Sequence, residues 1–348
     1  MVYPAQKGST PRADHLAAAR SGDKSAFGLL VEPHRRELLT HCYRMLGSFQ
    51  DAEDQVQETL LRAWRRLDTY EGRASFRAWL YKIATNACLD ALRQRSRRAL
   101  PPDLRKASDP GEPILPPVLD PIWLEPFPDD LLAPSAANPE ARYEAHESIT
   151  LAFMTALQRL PPRQRSVLLF CDVLDWPAND VAGLLETTVP TVNSMLYRAR
   201  SSISKNYTLQ NRRDYRLARE KERTGELLRR YVQAWETADI DALVALLKED
   251  AAFPMPPLPL WYRGRSAIRA FVSAVILSGE ASGRWSLHPL KANGQPAYAW
   301  YQRDDSSGRY QAYAIQVLTI QDGLLSDVTT FGYPQLFPHF GLSLEIAA

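Results

Sequence analysis

A proline-rich segment in the middle of the sequence limits most strongly how this chain can fold. Residues 101–140 read PPDLRKASDPGEPILPPVLDPIWLEPFPDDLLAPSAANPE. Proline lacks a backbone N–H and clashes with the preceding helical turn, so this density of prolines excludes a regular helix. The segment also carries Ile122, Trp123, Leu124 and Phe127, which make it more than a solvated spacer. We therefore predict an extended linker that docks through these apolar side chains.

The block before the linker, residues 12–100, has the apolar spacing of helices. Gly47 is predicted to end the first helical run. Ser48 is then a predicted N-cap, because Asp51 follows three residues later, as in an acidic capping box. The next helix has a polar, mostly acidic group near its N-terminus, and the last one ends in RQRSRR. Trp79 and Tyr81, on that last helix, are predicted core residues.

The block after the linker, residues 141–208, contains a predicted helix-turn-helix in DVAGLLETTVPTVNSMLYRARSSI. Glu186 precedes the turn where many such units have glycine, and Thr188 is positioned to cap the second helix. The apolar residues of that helix recur at three- and four-residue steps and are expected to face the core: Val192, Leu196, Ala199 and Ile203.

The second helix leaves a polar set pointing outward, namely Thr191, Asn193, Ser194, Tyr197, Arg198 and Arg200. Short polar side chains near a helix N-terminus can approach base edges in the major groove, and arginine can reach guanine or phosphate. This pattern indicates a DNA-reading helix. The alternative is an ordinary helical hairpin with a polar face.

Beyond residue 225 the pattern changes. GELLRRYVQAWETADIDALVALLKED predicts two helices, and later segments such as AYAWYQRD alternate like strands. Helices followed by an antiparallel sheet indicate a separate α+β domain over residues 225–340. The predicted fold class is thus multidomain: two all-α helical domains, the second with the helix-turn-helix, and a C-terminal α+β domain.

Composition adds a few bounds. The 348 residues are 45% hydrophobic and 24% charged, as in soluble globular proteins, and the net charge is +2. Local basic patches such as RQRSRR favour a polyanionic partner, although they could also be solvated helix ends. Cys42, Cys88 and Cys171 form no CxxC pair, which predicts a reducing compartment and buried thiols. With no signal-peptide pattern and no run of 18 apolar residues, the prediction is cytoplasmic and without membrane contact.

Metal and cofactor sites are not expected. His34 and His41 lie seven residues apart on a predicted helix, and we expect no third ligand to join them.

The two helical blocks resemble a known family of transcription factors. DAEDQVQETLLRAWRRLDTYEG followed by ASFRAWLYKIATNACLDALRQRSRR resembles region 2 of the extracytoplasmic-function (ECF) sigma factors of bacterial RNA polymerase. LPPRQRSVLLFCDVLDWPANDVAGLLETTVPTVNSMLYRARSSI is similar to their region 4. The resemblance assigns region 2 to residues 12–100 and region 4 to residues 141–208. It implies that core RNA polymerase and promoter DNA are the partners.

Motif position under this resemblance implies roles for individual residues. The segment that docks on the polymerase comprises Asp51, Asp54, Gln57 and Glu58, although these acids could instead only complement the helix dipole. Region 4 would read the −35 element as duplex with Thr188, Thr191, Asn193, Ser194, Tyr197, Arg198 and Arg200. Region 2 would capture the melted −10 element with Tyr70, Arg73, Ser75, Phe76, Arg77, Asn86 and Asp90, and hold phosphates with Arg93, Arg95, Arg97 and Arg98.

The C-terminal block resembles the SnoaL-like, cone-shaped α+β family related to polyketide cyclases and ketosteroid isomerases. The residues that carry this resemblance are LLRRYVQAWETADIDALVALLKEDAAFPMPPLPLWYRGRSAIRAFV. Within the ECF family, the SigG-like group combines a proline-rich linker with such a domain. The resemblance implies a pocket, and the candidate lining residues are Asp239, Trp261, Tyr262, Arg263, His288, Trp300 and Tyr301.

The resulting functional prediction is an alternative sigma factor, not an enzyme, that is regulated in cis by its C-terminal domain, with a small molecule as candidate ligand. Two alternatives remain open at this stage. One is an isomerase- or cyclase-type enzyme with a DNA-targeting arm, and the other is a helix-turn-helix repressor.

Overall fold

The computed structural model describes residues 13–94, 97–118, 122–132, 148–206, 217–279 and 281–347. The chain divides between two compact units. The helical unit comprises Met1–Arg98 and Leu131–Thr208, and the sheet unit comprises Ala99–Asp130 and Leu209–Ala348. In the part of the chain that the structure describes, no helix combines the length and apolar character needed to cross a bilayer.

The described residues of the helical unit form nine α-helices. Their bounds are Ala13–Arg20, Lys24–Val31, Arg35–Leu46, Phe49–Arg65, Phe76–Gln94, Leu151–Gln158, Pro162–Leu168, Ala178–Leu184 and Val189–Asn206.

Local sequence signals set the helix ends in this unit. Gly47 ends the Arg35–Leu46 helix with a φ of 74°, a left-handed conformation that glycine adopts without strain. Ser48 then caps the Phe49–Arg65 helix, since its side chain accepts a hydrogen bond from the backbone N–H of Asp51. Both features agree with the sequence prediction.

The two helical blocks pack together within this unit through buried cations. Arg44, from the first block, donates through Nε to the Ser148 carbonyl at 3.2 Å. Arg165, from the second block, reaches back to the Met45 carbonyl and is 2% exposed. It also donates to the carbonyls of Leu157 (2.9 Å), Gln158 (2.9 Å) and Leu160 (3.2 Å). Burial lowers the pKa of the Arg165 guanidinium, although it stays protonated at neutral pH. These bonds satisfy carbonyls that would otherwise be left unpaired.

The described part of the sheet unit contains a seven-stranded sheet. The strands are β1 (Leu247–Pro254), β2 (Trp261–Arg263), β3 (Trp285–Ala292), β4 (Gln295–Arg303), β5 (Tyr310–Gln321), β6 (Leu324–Phe331) and β7 (Glu345–Ile346). Their order is β2-β1-β6-β5-β4-β3, with β7 pairing with β5. Only the β1–β6 pairing among these strands is parallel.

Helices cover one face of this sheet. They span Leu217–Glu236, Ile240–Ala245 and Arg265–Phe271. The core between helices and sheet is aromatic, and Trp235 and Trp300 make an edge contact with ring centroids 4.4 Å apart. Tyr231 donates a buried hydrogen bond to Gln316, which in turn donates to Thr330 at 2.8 Å. The α+β architecture predicted for this part of the chain is therefore confirmed.

Part of the proline-rich segment lies on the sheet unit as a strap, which we define as residues 99–118 and 122–130. The Ser108 N–H donates to the Trp261 carbonyl at 2.8 Å, and the Phe127 N–H donates to Asn293 Oδ1 at 2.9 Å. Trp123, Leu124 and Phe127 are buried.

One helical turn in the strap corrects the sequence analysis, which had excluded a regular helix there. Pro101–Leu104 forms a short helix, because prolines at its first two positions supply the helical φ and their missing N–H groups have no partner to lose.

Candidate nucleic-acid interface

The helix-turn-helix places its predicted contact residues in solvent. In the Val189–Asn206 helix, Val192 and Ala199 are fully buried, and Ile203 is 7% exposed. On the opposite side, Tyr197 is 76% exposed. All seven residues assigned to the −35 element are exposed, namely Thr188, Thr191, Asn193, Ser194, Tyr197, Arg198 and Arg200. The helix thus presents one continuous polar face.

The start of this face is ordered by its own side chains. Thr188 Oγ1 accepts from the Thr191 N–H at 3.3 Å and lies 2.8 Å from the Thr191 hydroxyl. Arg200 is held by a two-pronged ion pair with Asp172, with N–O distances of 3.0 and 2.6 Å. Arg198 has no such contact in the described structure, so it is the arginine of this face most ready to meet a phosphate or a base.

Glu186 adopts a left-handed φ of 51° in the turn between the two helices. This is the conformation for which such turns usually use glycine. The Glu186 carboxylate lies 2.9 Å from Lys82 Nζ of the first helical block. The hydrogen bond and charge of Lys82 lower the pKa of Glu186.

The predicted polymerase-docking helix exposes part of its acidic set. Asp54 and Gln57 are exposed, and half-buried Glu58 accepts a hydrogen bond from Arg62 Nε at 2.6 Å. Asp51 corrects the prediction, because it is buried and paired with Arg98. These two residues, predicted to serve different partners, bind each other. Leu61 extends the same exposed face, and the helical steps from Asp54 and Gln57 could have indicated it.

Two of the aromatic residues predicted to capture unpaired bases are core residues, which corrects that prediction. Tyr70 is 6% exposed and Phe76 is 1% exposed, with their ring centroids 5.3 Å apart. The Tyr70 hydroxyl donates to the Ala74 carbonyl at 3.0 Å, so the loop wraps around its own aromatic side chains. Sequence alone could not separate stacking aromatics from packing aromatics, since both follow the same spacing.

The remaining −10 candidates are distributed over the surface. Arg73, Ser75, Asn86, Arg93 and Arg97 are exposed. Half-buried Asp90 lies between two cations, Arg62 at 3.3 Å and Arg93 at 3.0 Å. Arg98 is buried against Asp51, and Arg95 lies outside the described residues.

A surface cleft of about 390 Å³ adjoins Asn86. Sequence analysis missed most of the residues that line it: Arg62, Arg66, Thr69, Trp79, Lys82, Ile83 and Glu186. Trp79 is half-buried at the cleft, not in the core as predicted. Trp79, Lys82 and Asn86 recur at three- and four-residue steps, so helical periodicity could have placed them on one face. Cations and an exposed aromatic edge together suit a nucleic-acid strand.

Arg77 is held in a cluster at the junction of the two helical blocks. Its guanidinium pairs with Glu37 at 2.7 Å and lies 4.9 Å from the Tyr81 ring centroid and 5.6 Å from the Trp176 ring centroid. Burial opposes ionisation of Glu37, but hydrogen bonds and charge from His34 and Arg77 outweigh it and lower the pKa of this carboxyl.

The residues predicted to line a pocket in the sheet unit are divided between the two sides of the sheet and its rim. Tyr262 and Trp300 lie in the aromatic core, whereas Tyr301 contacts Phe337 and His288, on the other side of the sheet. Neighbouring residues on a strand point to opposite faces, which separates Trp300 from Tyr301. The remaining candidates lie at the rim or in solvent: Asp239 caps a helix, Trp261 donates to the Arg105 carbonyl, and Arg263 and His288 are exposed.

The core of the sheet unit does contain polar groups that lack partners. The indole N–H groups of Trp285 and Trp300 are buried, and no hydrogen-bond partner for them is found among the described residues. Across those same residues, no group of three or more His, Cys, Asp or Glu side chains is arranged to hold a metal ion.

Comparison with protein families covers each part of the chain. Residues 30–98 match Sigma-70 region 2, residues 150–203 match Sigma-70 region 4, and residues 228–328 match a SnoaL-like domain. Two Sigma-70 regions followed by a SnoaL-like domain confirm the predicted fold class.

Individual relatives extend this likeness over nearly the whole chain. The ECF RNA polymerase sigma factor SigG of Mycobacterium tuberculosis is 43% identical over 328 residues, which are 94% of this chain and 85% of the relative. RNA polymerase sigma-H factor of Pseudomonas aeruginosa is 30% identical over 184 residues, 53% of this chain and 87% of the relative. The crystal structure of the ECF sigma factor SigJ of M. tuberculosis shares the fold, with a TM-score of 0.56 and 23% identity over 92% of this chain and 100% of that one. The likeness to SigG covers both helical blocks and the sheet unit, and the chain belongs to the ECF RNA polymerase sigma factors.

Proposed function

We propose that this sigma factor divides promoter recognition between its two helical blocks, with the sheet unit as a regulator in cis. The first block would bind core RNA polymerase and the unpaired −10 strand, and the second would bind the −35 element as duplex. The chain would carry out no bond chemistry itself. Its place of action would be the cytoplasm, where bacterial core polymerase works.

The polar face of the Val189–Asn206 helix is the observation that carries this proposal. Val192, Ala199 and Ile203 are buried while every candidate contact residue is exposed, as a major-groove helix requires. Arg198 and Tyr197 project beyond the ordered Thr188–Thr191 start of the helix. We expect the short polar side chains to approach base edges and Arg198 to add a base or phosphate contact.

Docking on the polymerase would use the exposed acidic side of the Phe49–Arg65 helix. Asp54 and Glu58 supply negative charge, Gln57 adds a neutral polar contact, and Leu61 adds an exposed apolar contact one turn further along. An acidic face directed at a basic partner orients the two proteins and speeds their encounter. A leucine that becomes buried in the interface contributes affinity. Asp51 would act indirectly, by fixing Arg98 and with it the end of the first block.

For the −10 strand, the cleft around Asn86 is a better candidate than the buried aromatic residues. Arg66, Lys82 and Trp79 line it together with Asn86. Cations there could follow the phosphates and Trp79 could stack a base, so binding should weaken as salt rises.

The sheet unit would sense or transmit a signal instead of catalysing a reaction. Its buried indole N–H groups on Trp285 and Trp300 favour a small-molecule ligand that brings hydrogen-bond acceptors. The strap joins this unit directly to the end of the first helical block at Arg98. Changes in the sheet unit could therefore reach the promoter-binding blocks through a short connection.

Charge reversal on the docking helix tests the proposal. Asp54→Lys with Glu58→Lys should weaken binding of the full chain to purified core polymerase by at least about tenfold, since each reversed charge replaces attraction by repulsion. Glu249→Lys with Asp305→Lys, two exposed positions of the sheet unit, is the control with the same change in net charge. Equal affinities for both double variants would refute the docking assignment.

A further inference from the structure

An aromatic and cationic cluster joins the two helical blocks at the surface that would bind the −10 strand. From the first block come His41, Arg77 and Tyr81, and from the second come Phe170 and Trp176. The Trp176 ring lies 5.4 Å from Tyr81 and 5.0 Å from Phe170, measured between ring centroids. A π-helical turn at Leu169–Val173 brings Phe170 into this cluster.

Arg77 and Tyr81 together form a stacking slot for a flat ring. The Arg77 guanidinium lies over the Tyr81 ring, and the Trp176 ring contacts both, with its centroid 5.6 Å from the guanidinium carbon and 5.4 Å from the Tyr81 ring centroid. Glu37 fixes the guanidinium at 2.7 Å. Tyr81 is only 1% exposed, and Phe170 and Trp176 of the second block contact its ring. An arginine and a tyrosine arranged in this way also suit an unpaired nucleobase, whose π-face can replace that of an indole.

A second contact covers the neighbouring cleft. Glu186, in the helix-turn-helix turn, pairs with Lys82 at 2.9 Å and lines the same cleft as Asn86 and Trp79. A carboxylate there neutralises a lysine that would otherwise meet a phosphate. The second block thus places a ring in the stacking slot and a negative charge on the adjacent cation.

We propose that region 4 of the free chain acts as an internal substitute for the −10 strand, with Trp176 in place of an unpaired base and Glu186 in place of a phosphate. This rests on the proposed function, because it assumes that the first block binds that strand. Arg77 and Tyr81 extend the proposed strand-binding cleft around Asn86, which Lys82 lines, and single-stranded DNA is the ligand of the combined site. The strand and the second block compete for one surface.

Because of this competition, the −10 strand can bind only after the second block has moved away from the first. The free chain binds the strand only in the fraction of molecules in which the second block has moved away, so the apparent affinity is reduced by that fraction. Any partner that binds the open form better shifts the population towards it. Core polymerase would be such a partner, since it engages both blocks.

The test measures binding of a fluorescein-labelled single strand to the full chain without polymerase. The strand carries the −10 sequence of a promoter from which the holoenzyme initiates. Trp176→Ala removes the competing ring and should raise affinity roughly tenfold, the scale of a desolvated cation–π contact. Trp176→Phe keeps a competing ring and should stay close to the parent chain.

A charge swap gives a second, milder variant that does not open the aromatic core. Glu186→Lys should also raise affinity, by a few-fold, because it frees Lys82 and adds a cation. Lys82→Glu combined with Glu186→Lys restores the ion pair and should lower affinity again.

The outcomes separate this inference from the proposed function. If the holoenzyme initiates but neither Trp176→Ala nor Glu186→Lys raises strand affinity, region 4 is no competitor and the inference is wrong. If the holoenzyme fails to initiate at any promoter, the function itself is wrong.

Discussion

His41 is a buried titratable group at the meeting point of the two helical blocks. Its Nε2 lies 2.9 Å from the Thr85 hydroxyl, and its ring contacts Tyr81 and Phe170. Burial, assisted by the charges of Arg44 and Arg77, lowers the pKa of His41 to about 3. The imidazole is therefore neutral in the folded chain at all physiological pH values.

This histidine should make stability dependent on pH. In the unfolded chain its pKa is about 6.5, so the unfolded state binds the extra proton between pH 6.5 and 3. The contribution to stability is complete above pH 6.5 and is lost as the pH falls, by about 1.4 kcal/mol per unit. We expect the free energy of unfolding of the parent chain to fall by about 2 kcal/mol more than that of His41→Phe between pH 6.5 and 5. Parallel urea-unfolding curves for the two proteins at both pH values would contradict this.

Arg165 supplies a second test at the residue scale. Its guanidinium donates to carbonyls of both helical blocks, including Met45 and Leu157. Arg165→Met should lower the free energy of unfolding by about 3 kcal/mol or more, because several buried carbonyls lose their partner. Arg163→Met is the matched control, since Arg163 is exposed two residues away and should change stability by less than about 0.5 kcal/mol. Similar denaturation midpoints for the two variants would show that the hydrogen bonds of Arg165 do not stabilise the fold.

Sequence analysis predicted which residues of a helix are buried better than it predicted which distant residues they contact. Helical spacing correctly buried Val192 and Ala199, because periodicity is a local property. Asp51 and Arg98 were assigned to different partners, yet they lie 47 residues apart in sequence and pair with each other. Such pairs depend on how distant helices pack, which a single sequence does not encode in its spacing.

The recognition helix shows the same contrast at the element scale. Its cap at Thr188 and its buried face follow from residue type and spacing. The left-handed conformation of Glu186 in the preceding turn could not be predicted in this way, since glycine is the usual residue at such a position. Its contact with Lys82 is a long-range feature that sequence could not supply.

Arg198 and Arg200 should differ in their effect on DNA binding. Arg198→Ala should weaken binding of the holoenzyme to −35 duplex by about tenfold or more, because its side chain is exposed and extends from the polar face. Arg200→Ala should cost less, since Arg200 must first give up part of its ion pair with Asp172. Fluorescence anisotropy on labelled duplex measures both. Arg229→Ala, which removes an exposed arginine of the sheet unit, is the control for net charge.

The strap is the element that the sequence described least completely. Its apolar residues predicted docking, but its partners on the sheet unit, Trp261 and Asn293, became visible only in the structure. Every strap residue except proline offers the same backbone N–H, so the residue pattern of the strap could not show which of these groups find a partner.

Truncation of a docked strap residue should release the strap. Phe127 is fully buried, and Phe127→Ala should destabilise docking by about 3 kcal/mol. Limited proteolysis should then cut residues 105–118 at least about tenfold faster, because cleavage follows the undocked population. Ile114→Ala alters a 46% exposed residue of the same strap and should leave the rate unchanged. Equal cleavage rates in both variants would mean that Phe127 does not hold the strap.

At the scale of the whole molecule, the chain combines a promoter-binding helical unit with a sheet unit that carries the strap. The order of the three folded parts followed from the sequence, because each has its own periodicity and composition. The packing of both helical blocks into one compact unit could not be predicted from the sequence, since it depends on long-range contacts such as that of Arg165 with Met45. Because the two blocks pack together, region 4 is a candidate competitor of the −10 strand for the surface of the first block.

The most direct measurement is run-off transcription with purified bacterial core polymerase on a library of duplex templates. The account predicts that the full chain directs initiation from a defined subset of templates that share two elements at fixed spacing. Asp54→Lys with Glu58→Lys should abolish these transcripts. Transcripts identical to those of core polymerase alone, together with no association between the chain and the core enzyme, would contradict the account.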